Sequence, residues 1–350
     1  MTPGRTILYG AALMAALLVA GLVMPRWLQF LCTMAISHGV VSLGIVLLMR
    51  SGVVSFGQGF VFGAGGYAAA LAANHLGISD AFLLVAFGGG AAALLAAPIA
   101  PLLARYRSIF FAMLTLAISM VLYGVLVKST AMGGSDGFNV SRPTLLGAEV
   151  PAESANFALY AVAVIVVGIL ATAARIYSDS VRGLVSLAIR ENELRVEYLG
   201  ASVTGAIAVN FVFAAFLGGV GGALTLLALG HIEPGFSYWT TSGEFVFIAI
   251  LAGHHSMLAV VAASLAVELV RSFSNLYFPH TWQLGMGIFL LLMIRFLPRG
   301  LGSLWADRRG TAVQSSLPRS CRPAAWPSRS APSPRRTAST STSPPASGSA

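Results

Sequence analysis

The sequence has 350 residues, of which 57% are hydrophobic and only 9% charged, with a mean hydropathy of +0.82. Because soluble domains carry about a quarter charged residues, this chain cannot cover a globular surface with polar groups. A soluble enzyme and a nucleic-acid-binding domain are therefore disfavoured, despite the formal net charge of +9. The composition predicts an all-α, polytopic membrane protein.

Apolar segments long enough to cross a bilayer, about 20 residues each, follow one another along the chain. The stretch 244–271 is also apolar but is interrupted at Gly253-His254-His255, which predicts a short half-helix, a turn and a second helix. The pattern predicts about 8–10 transmembrane helices, with ten favoured. The full-length candidates are residues 7–24, 28–49, 52–73, 81–104, 108–127, 155–174, 204–230 and 281–298.

The positive charges of the short loops are unevenly divided between the two sides of the membrane. With a cytoplasmic N-terminus, eleven arginines fall on the cytoplasmic side and four basic residues on the outer side. Since Lys and Arg are enriched in cytoplasmic loops, the sequence predicts an N-in, C-in orientation. The basic residues of the outer side are Arg26, Lys128, Arg142 and Arg271.

Two polar loops interrupt the hydrophobic body, and this orientation places them on opposite sides. Loop 128–154 faces outward, and loop 175–203 faces the cytoplasm. Within the second loop, residues 184–199 have helical character, with Leu184, Leu187, Ala188, Leu194 and Tyr198 able to share one face. Such a helix suits the docking of a cytoplasmic partner, and a solvated connecting helix explains the pattern equally well.

Small residues dominate two of the apolar segments. Ser55, Gly59 and Gly63 recur at four-residue spacing, as do Gly218 and Gly222. Such patterns let helix backbones approach closely inside a membrane, and close packing explains most of this one. Glycine can also leave backbone groups open along a substrate path. The residues predicted to line that path are Gln58, Gly59, Gly63 and Tyr67.

Several polar residues fall inside apolar segments, where they are costly and usually functional. They include His38, Gln58, Glu244, Glu268 and Arg295. We expect Glu244 and Glu268 to lie near helix ends and Arg295 to extend toward the cytoplasmic surface. The sequence contains no His, Asp or Glu cluster at metal-ligand spacing, no GxSxG elbow and no GxxxxGK[ST] loop. We therefore expect no catalytic constellation, no metal site and no cofactor bound by this chain.

Several motifs, in the same order, resemble the permease subunit of ABC importers for branched-chain amino acids, the LivM type. Residues 51–73 resemble that family's "SLGxxxFxGxGAY" segment, and residues 107–123 its "RGxYFAxxTLAFxxxxY" helix. Residues 188–200, AIRENELRVEYLG, resemble its "AIRExExxAxxxG" segment. The resemblance covers residues 28–302 and includes Ser242-Gly-Glu244 and the stretch 297–301. It also includes the external loop residues that match "TGGSDG", namely Gly133, Gly134, Ser135, Asp136 and Gly137.

One stretch departs from the family pattern. The family has a glycine-rich turn such as "GGxGT" where this chain has Ala252-Gly-His-His-Ser256. The two histidines add bulk at the expected half-helix break.

The resemblance implies a transport subunit of the bacterial inner membrane that is not itself an enzyme. It implies a transmembrane permease domain over residues 1–304, surrounded by the lipid bilayer, with a coupling helix at 184–200. The implied partners are a periplasmic substrate-binding protein, a second, LivH-like permease and two ABC ATPase subunits or domains, which bind the ATP. Leu, Ile and Val are the implied substrates, with urea, amides and other amino acids left open. The implied ATPase-coupling residues are Arg190, Glu191, Asn192, Glu193, Arg195 and Gly200.

Two other classes of function compete with this interpretation. An ion-coupled secondary transporter of a small organic solute would carry its substrate and ion sites on broken helices and need no ATPase partner. An intramembrane enzyme would use His38, His254 or His255, but the sequence shows no catalytic constellation around them.

The last part of the chain differs abruptly from the hydrophobic body. Residues 308–350 hold seven Arg and no acid, and from Gly310 onward Ser, Pro, Ala, Arg and Thr dominate. Such a segment cannot bury enough apolar surface to fold, so residues 305–350 are expected to be a disordered basic tail. In a shifted reading frame from Arg322 onward, however, the codons permit a string that resembles the opening strands of a Liv-type ABC ATPase. The tail is then an out-of-frame remnant of an ATPase domain.

We predict that resequencing the gene across codons 300–350 and several hundred bases beyond will reveal a one-base correction. The corrected frame is expected to contain a GxxxxGK[ST] motif, because the ATPase must cradle the phosphates of ATP. If the sequence stands and no ATPase-like frame follows codon 310, the frameshift interpretation is wrong and the basic tail is genuine.

Overall fold

The long apolar runs form helices because a helix satisfies its own backbone hydrogen bonds where the bilayer offers no water. The computed structural model describes residues 3–141, 143–145, 147, 151, 154–253, 257–277 and 281–296. The helices are α1 (Pro3–Val23), α2 (Arg26–Arg50), α3 (Gln58–His75), α4 (Ala81–Leu103), α5 (Ser108–Lys128), α6 (Ala155–Asp179), α7 (Val181–Glu191), α8 (Glu193–Tyr198), α9 (Val203–Leu229), α10 (Trp239–Ala252), α11 (Met257–Tyr277) and α12 (Trp282–Phe296).

This arrangement confirms an all-α, polytopic membrane protein. In the described ranges, seven helices are long and apolar enough to cross a membrane, namely α1, α2, α4, α5, α6, α9 and α11. α10 and the apolar part of α12 are shorter, and α3 has only 18 residues. With these three, the predicted ten apolar helices are all present.

The segment predicted as one helix over 52–73 is the main correction to the element boundaries. Its helix begins only at Gln58. Gly52 adopts a φ of +79°, which ends the continuation of α2, and residues 53–57 are not helical. The predicted break in 244–271 is confirmed, because α10 ends at Ala252 and Gly253 has a φ of +71°. His254 and His255, the stretch 297–301 and the tail 305–350 lie outside the described residues.

α2 and α9 form the centre of the helix bundle. Most of α2 is buried, and its main neighbours are α6, α9, α10 and α11. α9 packs against α2, α3 and α4 along a face of small residues. A Cβ added at Gly65 would overlap the backbone of Gly219, and one added at Gly88 would lie 2.7 Å from the Gly65 carbonyl oxygen. The small residues therefore set the distances between α3, α4 and α9.

The polar loops lie at two opposite ends of the bundle. At one end, strand β1 (Phe138–Asn139) pairs antiparallel with β2 (His231–Ile232), and we call this the ribbon end. Asn74, near the end of α3, donates to the Asn139 carbonyl at 3.3 Å there. At the other end lie α7 and α8, and we call this the α7–α8 end. Arg50, the last residue of α2, donates to the Ser178 carbonyl at 3.3 Å there.

In the described part of the chain, a buried ion pair and a partly exposed one join α11 to its neighbours. His38 Nδ1 lies 3.1 Å from a carboxylate oxygen of Glu268, with both side chains largely buried. Arg271 donates to Glu244 at 3.1 Å. Glu268 is the twelfth residue of α11 and Glu244 the sixth of α10, so the expectation that both acids lie near helix ends is wrong. Mutual pairing is what makes these interior positions tolerable.

We predict that His38→Leu lowers the thermal stability of the protein in detergent. The change leaves the Glu268 carboxyl buried without its imidazole partner, which costs about 3–5 kcal/mol for a buried pair. The double variant His38→Leu with Glu268→Leu is expected to recover most of the loss, because it removes both polar groups. His75→Leu, at the exposed end of α3, serves as the control. Equal thermal midpoints for His38→Leu and His75→Leu would contradict the pairing.

Candidate translocation and docking sites

Helix α3 begins inside the protein rather than at its surface. The chain leaves α2 at Arg50 and runs through a mostly buried, non-helical loop, residues 51–57, before α3 starts at Gln58. The amide of Phe56 donates to Thr115 Oγ1 at 3.1 Å, and that of Gly59 to Ser242 Oγ at 2.9 Å. Hydroxyl groups of α5 and α10 thus satisfy amides at the start of α3, which have no partner within the helix.

Helix α10 begins beside the start of α3. A 3₁₀ turn, Pro234–Ser237, precedes it and packs against α3 and α5. Ser119 of α5 donates to the Ser237 carbonyl at 2.8 Å and is fully buried. Two helix N-termini, each carrying a partial positive charge, therefore meet at a junction lined with hydroxyl groups. Broken helices of this kind form substrate sites in many transporters.

Three buried polar atoms, two at this α3–α10 junction and one further along α3, have no hydrogen-bond partner among the described residues. They are Gln58 Oε1, Ser237 Oγ and Tyr67 Oη. A buried polar atom without a partner costs about 1–3 kcal/mol, so such atoms require an explanation. The position of Gln58 Oε1 and Ser237 Oγ at the broken helices makes these two atoms candidate contacts for a polar ligand.

The residues nominated for a substrate path from sequence are brought partly together. Gln58, Gly59 and Gly63 lie along the start of α3 at the junction, where a Cβ at Gly63 would overlap Ser237 Oγ. Tyr67 lies further along α3, in edge contact with Phe138 of the ribbon at 6.0 Å between ring centroids. All four are buried. Close packing therefore accounts for the two glycines, and a role of the four in the path stays a prediction.

The sequence pattern does not identify the hydroxyl residues that complete the junction. Thr115, Ser119 and Ser237 are single hydroxyl residues in apolar or turn segments. A lone Ser or Thr in a membrane helix commonly bonds to a carbonyl of its own helix, as Thr115 also does with Ala112. The sequence therefore carried no signal for their long-range bonds. Ser242 stood out only as part of a family motif.

The predicted coupling helix at 184–200 is two helices, which corrects its description as one. α7 ends at Glu191, and Asn192 has an extended backbone. The Asn192 side chain accepts from the Arg195 amide at 3.0 Å and so caps α8. α8 ends before Gly200, whose φ of +84° favours glycine. The break arises because an Asn side chain competes with the helix for backbone groups.

Helices α7 and α8 expose their apolar face. Their buried residues are Gly183, Ser186, Ile189 and Val196. The apolar side chains on the predicted common face point outward, with Leu184 56% and Tyr198 89% exposed. Leu187 and Leu194 are also exposed. Large apolar side chains exposed outside the helix bundle are typical of a protein-binding site.

An ion pair fixes α8 to the helix bundle. Arg107, just before α5, donates through Nε to both carboxylate oxygens of Glu193 at 2.9 and 3.0 Å. Glu193 is the first residue of α8, where a negative charge is favourable. The other predicted coupling residues are exposed, namely Arg190, Glu191, Asn192, Arg195 and Gly200.

The predicted external loop folds into a tight turn at the ribbon end. Gly133, Gly134 and Gly137 all have positive φ angles between +62° and +84°, which explains the glycine content. A Cβ at Gly137 would overlap the Ile232 carbonyl, so the loop packs against β2. Ser135 donates to Asp136 at 3.0 Å, and both side chains are exposed.

We predict that Gly63→Ala destabilises the protein by about 1–3 kcal/mol, the cost of forcing extra volume into a packed interior. Gly90→Ala on α4 is the matched control, because no atom of the described residues lies within 4 Å of its added Cβ. It is expected to be neutral or slightly stabilising. The folded fraction after heating in detergent measures both. Equal effects at the two positions would contradict the close contact between Gly63 and Ser237.

Comparisons with known proteins agree with this architecture. The model of the family "Branched-chain amino acid transport system / permease component" matches residues 27–297. The LivM permease protein of the high-affinity branched-chain amino acid transport system of Salmonella typhimurium is 25% identical over 328 residues, which cover 85% of this chain and 76% of the relative. The LivM protein of Escherichia coli K12 is 25% identical over 319 residues, 82% and 74% of the two chains. No solved structure matches.

The family match spans most of the helix bundle and both polar ends. Seven membrane-spanning candidates lie in the described ranges, as expected for a multi-pass inner-membrane protein. The chain therefore belongs to the permease family of branched-chain amino acid transport systems and is a transport subunit of that kind.

Proposed function

We propose that this chain carries leucine, isoleucine or valine through the inner membrane as one permease of an ABC importer. The observation that carries the proposal is the family match over residues 27–297. ATP is bound and hydrolysed by two ABC ATPase subunits or domains, and a periplasmic binding protein delivers the substrate. The α7–α8 end is cytoplasmic in this proposal and the ribbon end periplasmic, as the loop charges favour.

The ATPase docks on the exposed face of α7 and α8. Leu184, Leu194 and Tyr198 supply apolar contacts, and Arg190, Glu191 and Arg195 of the same segment are exposed and charged. An apolar centre with a polar rim is the usual composition of a protein–protein interface. The Arg107–Glu193 ion pair supports this proposal, because it holds α8 against the start of α5.

The second permease, a LivH-like subunit, lies beside α5 in this proposal. One face of α5 packs against α3, α10 and the 3₁₀ turn. The opposite face exposes large apolar side chains, including Ile109, Phe110, Met113, Val121 and Val125. A path between the two permeases then runs close to the α3–α10 junction, and the remaining apolar surface contacts lipid.

The α3–α10 junction supplies the contact with the amino acid itself. The partial positive charges of two helix N-termini suit a carboxylate. The unpartnered oxygens of Gln58 and Ser237 can accept hydrogen bonds from an ammonium group. These atoms are buried, so substrate entry requires the 3₁₀ turn to move away from α3.

We predict that Leu184→Asp combined with Tyr198→Asp reduces ATPase co-purification at least tenfold, which corresponds to about 1.4 kcal/mol. The added carboxylates would be buried without partners at the interface. Leu184→Met with Tyr198→Phe is the matched control and is expected to retain the ATPase within twofold. The amount of permease in the membrane is measured alongside. If the Asp variant still retains the ATPase, docking on this face is wrong.

A further inference from the structure

Asn210 is a buried polar residue at the α7–α8 end whose side chain joins four segments of the chain. It is the eighth residue of α9 and only 1% exposed. Its Nδ2 donates to Ser51 Oγ at 2.6 Å and to Ser186 Oγ at 2.7 Å. Its Oδ1 accepts from the Tyr177 hydroxyl at 2.5 Å. One amide thus connects α9 to the turn after α2, to α7 and to α6.

A second contact joins α7 to the same turn. Gly52 has a φ of +79°, and a Cβ placed there would meet the Cα of Arg190 at 3.4 Å. The last turn of α7 therefore lies directly against the Ser51–Gly52 turn. α7 cannot shift relative to the bundle without moving this turn or breaking the bonds from Asn210 to Ser51 and Ser186.

The turn leads without interruption to the α3–α10 junction. Five residues separate Gly52 from Gln58, and this non-helical stretch is mostly buried. Its last residues are tied to α5 through Thr115, and the first turn of α3 is tied to α10 through Ser242. A displacement at Ser51 thus reaches the start of α3 through a short segment that has little free space in which to absorb it.

The contact between α9 and the neighbouring segments at Asn210 is made by hydrogen bonds rather than by apolar packing. Leucine at position 210 would be an ordinary residue in an apolar helix, yet the chain places an amide there whose hydrogen bonds run to three other segments. Buried networks of this kind are costly when incomplete and specify one arrangement when complete. Hydrogen bonds can also be exchanged between two arrangements of the same helices, which tightly packed apolar contacts allow less readily.

We propose that Asn210 is a positioning residue that couples movement of α7 to the α3–α10 junction. The path of coupling is Ser186, Asn210, Ser51 and then the buried loop to α3. This inference rests on the proposed docking of the ATPase on α7 and α8. When the ATPase moves α7, the Asn210 amide carries that movement to the start of α3 and thereby opens or closes the substrate contact. The bond to Tyr177 holds Asn210 to α6 and is not part of this path.

The test uses the complete importer in proteoliposomes, with its ATPases, second permease and binding protein. Ser186→Ala and Ser51→Ala each remove one bond on the path, and Asn210→Leu removes all three. We expect each to lower the amount of amino acid transported per ATP hydrolysed at least fivefold. Stimulation of ATP hydrolysis by the loaded binding protein should fall in parallel. Basal ATP hydrolysis and ATPase co-purification should stay within twofold.

Tyr177→Phe is the matched control, because it removes a bond to the same amide that does not lie on the path. It keeps the ring contact with Phe213 at 5.2 Å between centroids and is expected to preserve coupling within twofold. If Tyr177→Phe uncouples transport as strongly as Ser186→Ala, the network acts only as a brace and the proposal is overturned. A proportional fall of transport, ATP hydrolysis and assembled complex overturns it too.

The variants separate misfolding, loss of docking and loss of coupling from one another. If Asn210→Leu does not fold, the two serine variants carry the test alone, since each removes a single hydroxyl. Failure of the docking proposal shows separately, as unchanged ATPase co-purification with Leu184→Asp and Tyr198→Asp. The coupling proposal fails if Ser186→Ala leaves the amount of amino acid transported per ATP hydrolysed unchanged. In that case Leu184→Asp with Tyr198→Asp still releases the ATPase.

Discussion

The requirement that every backbone polar group find a partner inside the protein shapes this molecule most strongly. Continuous helices meet that requirement by themselves. α3 does not, because it starts within the bundle after a non-helical stretch, and its first amides take hydroxyl oxygens of α5 and α10. Those side chains fix where α5, α10 and the 3₁₀ turn must lie. The arrangement that satisfies one broken helix thus also builds the junction proposed as the substrate contact.

α9 serves as the common support for this arrangement. Its middle presents glycines that allow α3 and α4 to approach at backbone distance, and its first turns hold Asn210 against the α7–α8 end. The glycine face leaves no room for sliding, because an added Cβ would overlap the neighbouring backbone. The Asn210 end relies on hydrogen bonds, which can exchange partners. Close packing in the middle of α9 and hydrogen bonds at its start fit the proposed transfer of movement from α7 to α3.

The class of fold was accessible from sequence because apolar length and the scarcity of charge are sufficient to predict membrane helices. The break at Gly253 was accessible for the same reason, since glycine and histidine interrupt an apolar run. The late start of α3 was not accessible, because residues 52–57 are as small and apolar as the helix that follows. The family motifs identified the chain, and they also marked Ser242 and the segment of α7 and α8.

Local sequence pattern does not predict the long-range hydrogen bonds of the α3–α10 junction and of Asn210. Asn210 and Ser119 owe their roles to partners 24 to 159 residues away in the chain, and such pairs leave no periodic trace in one sequence. On α7 and α8, composition predicts the wrong side chains to be buried. Its leucines would suggest burial by composition alone, yet the helix buries Gly183, Ser186 and Ile189 instead. A small buried face brings α7 close to the bundle and within reach of Asn210, which leaves the larger apolar side chains exposed. The same packing thus supports both the proposed docking surface and the proposed link to α3.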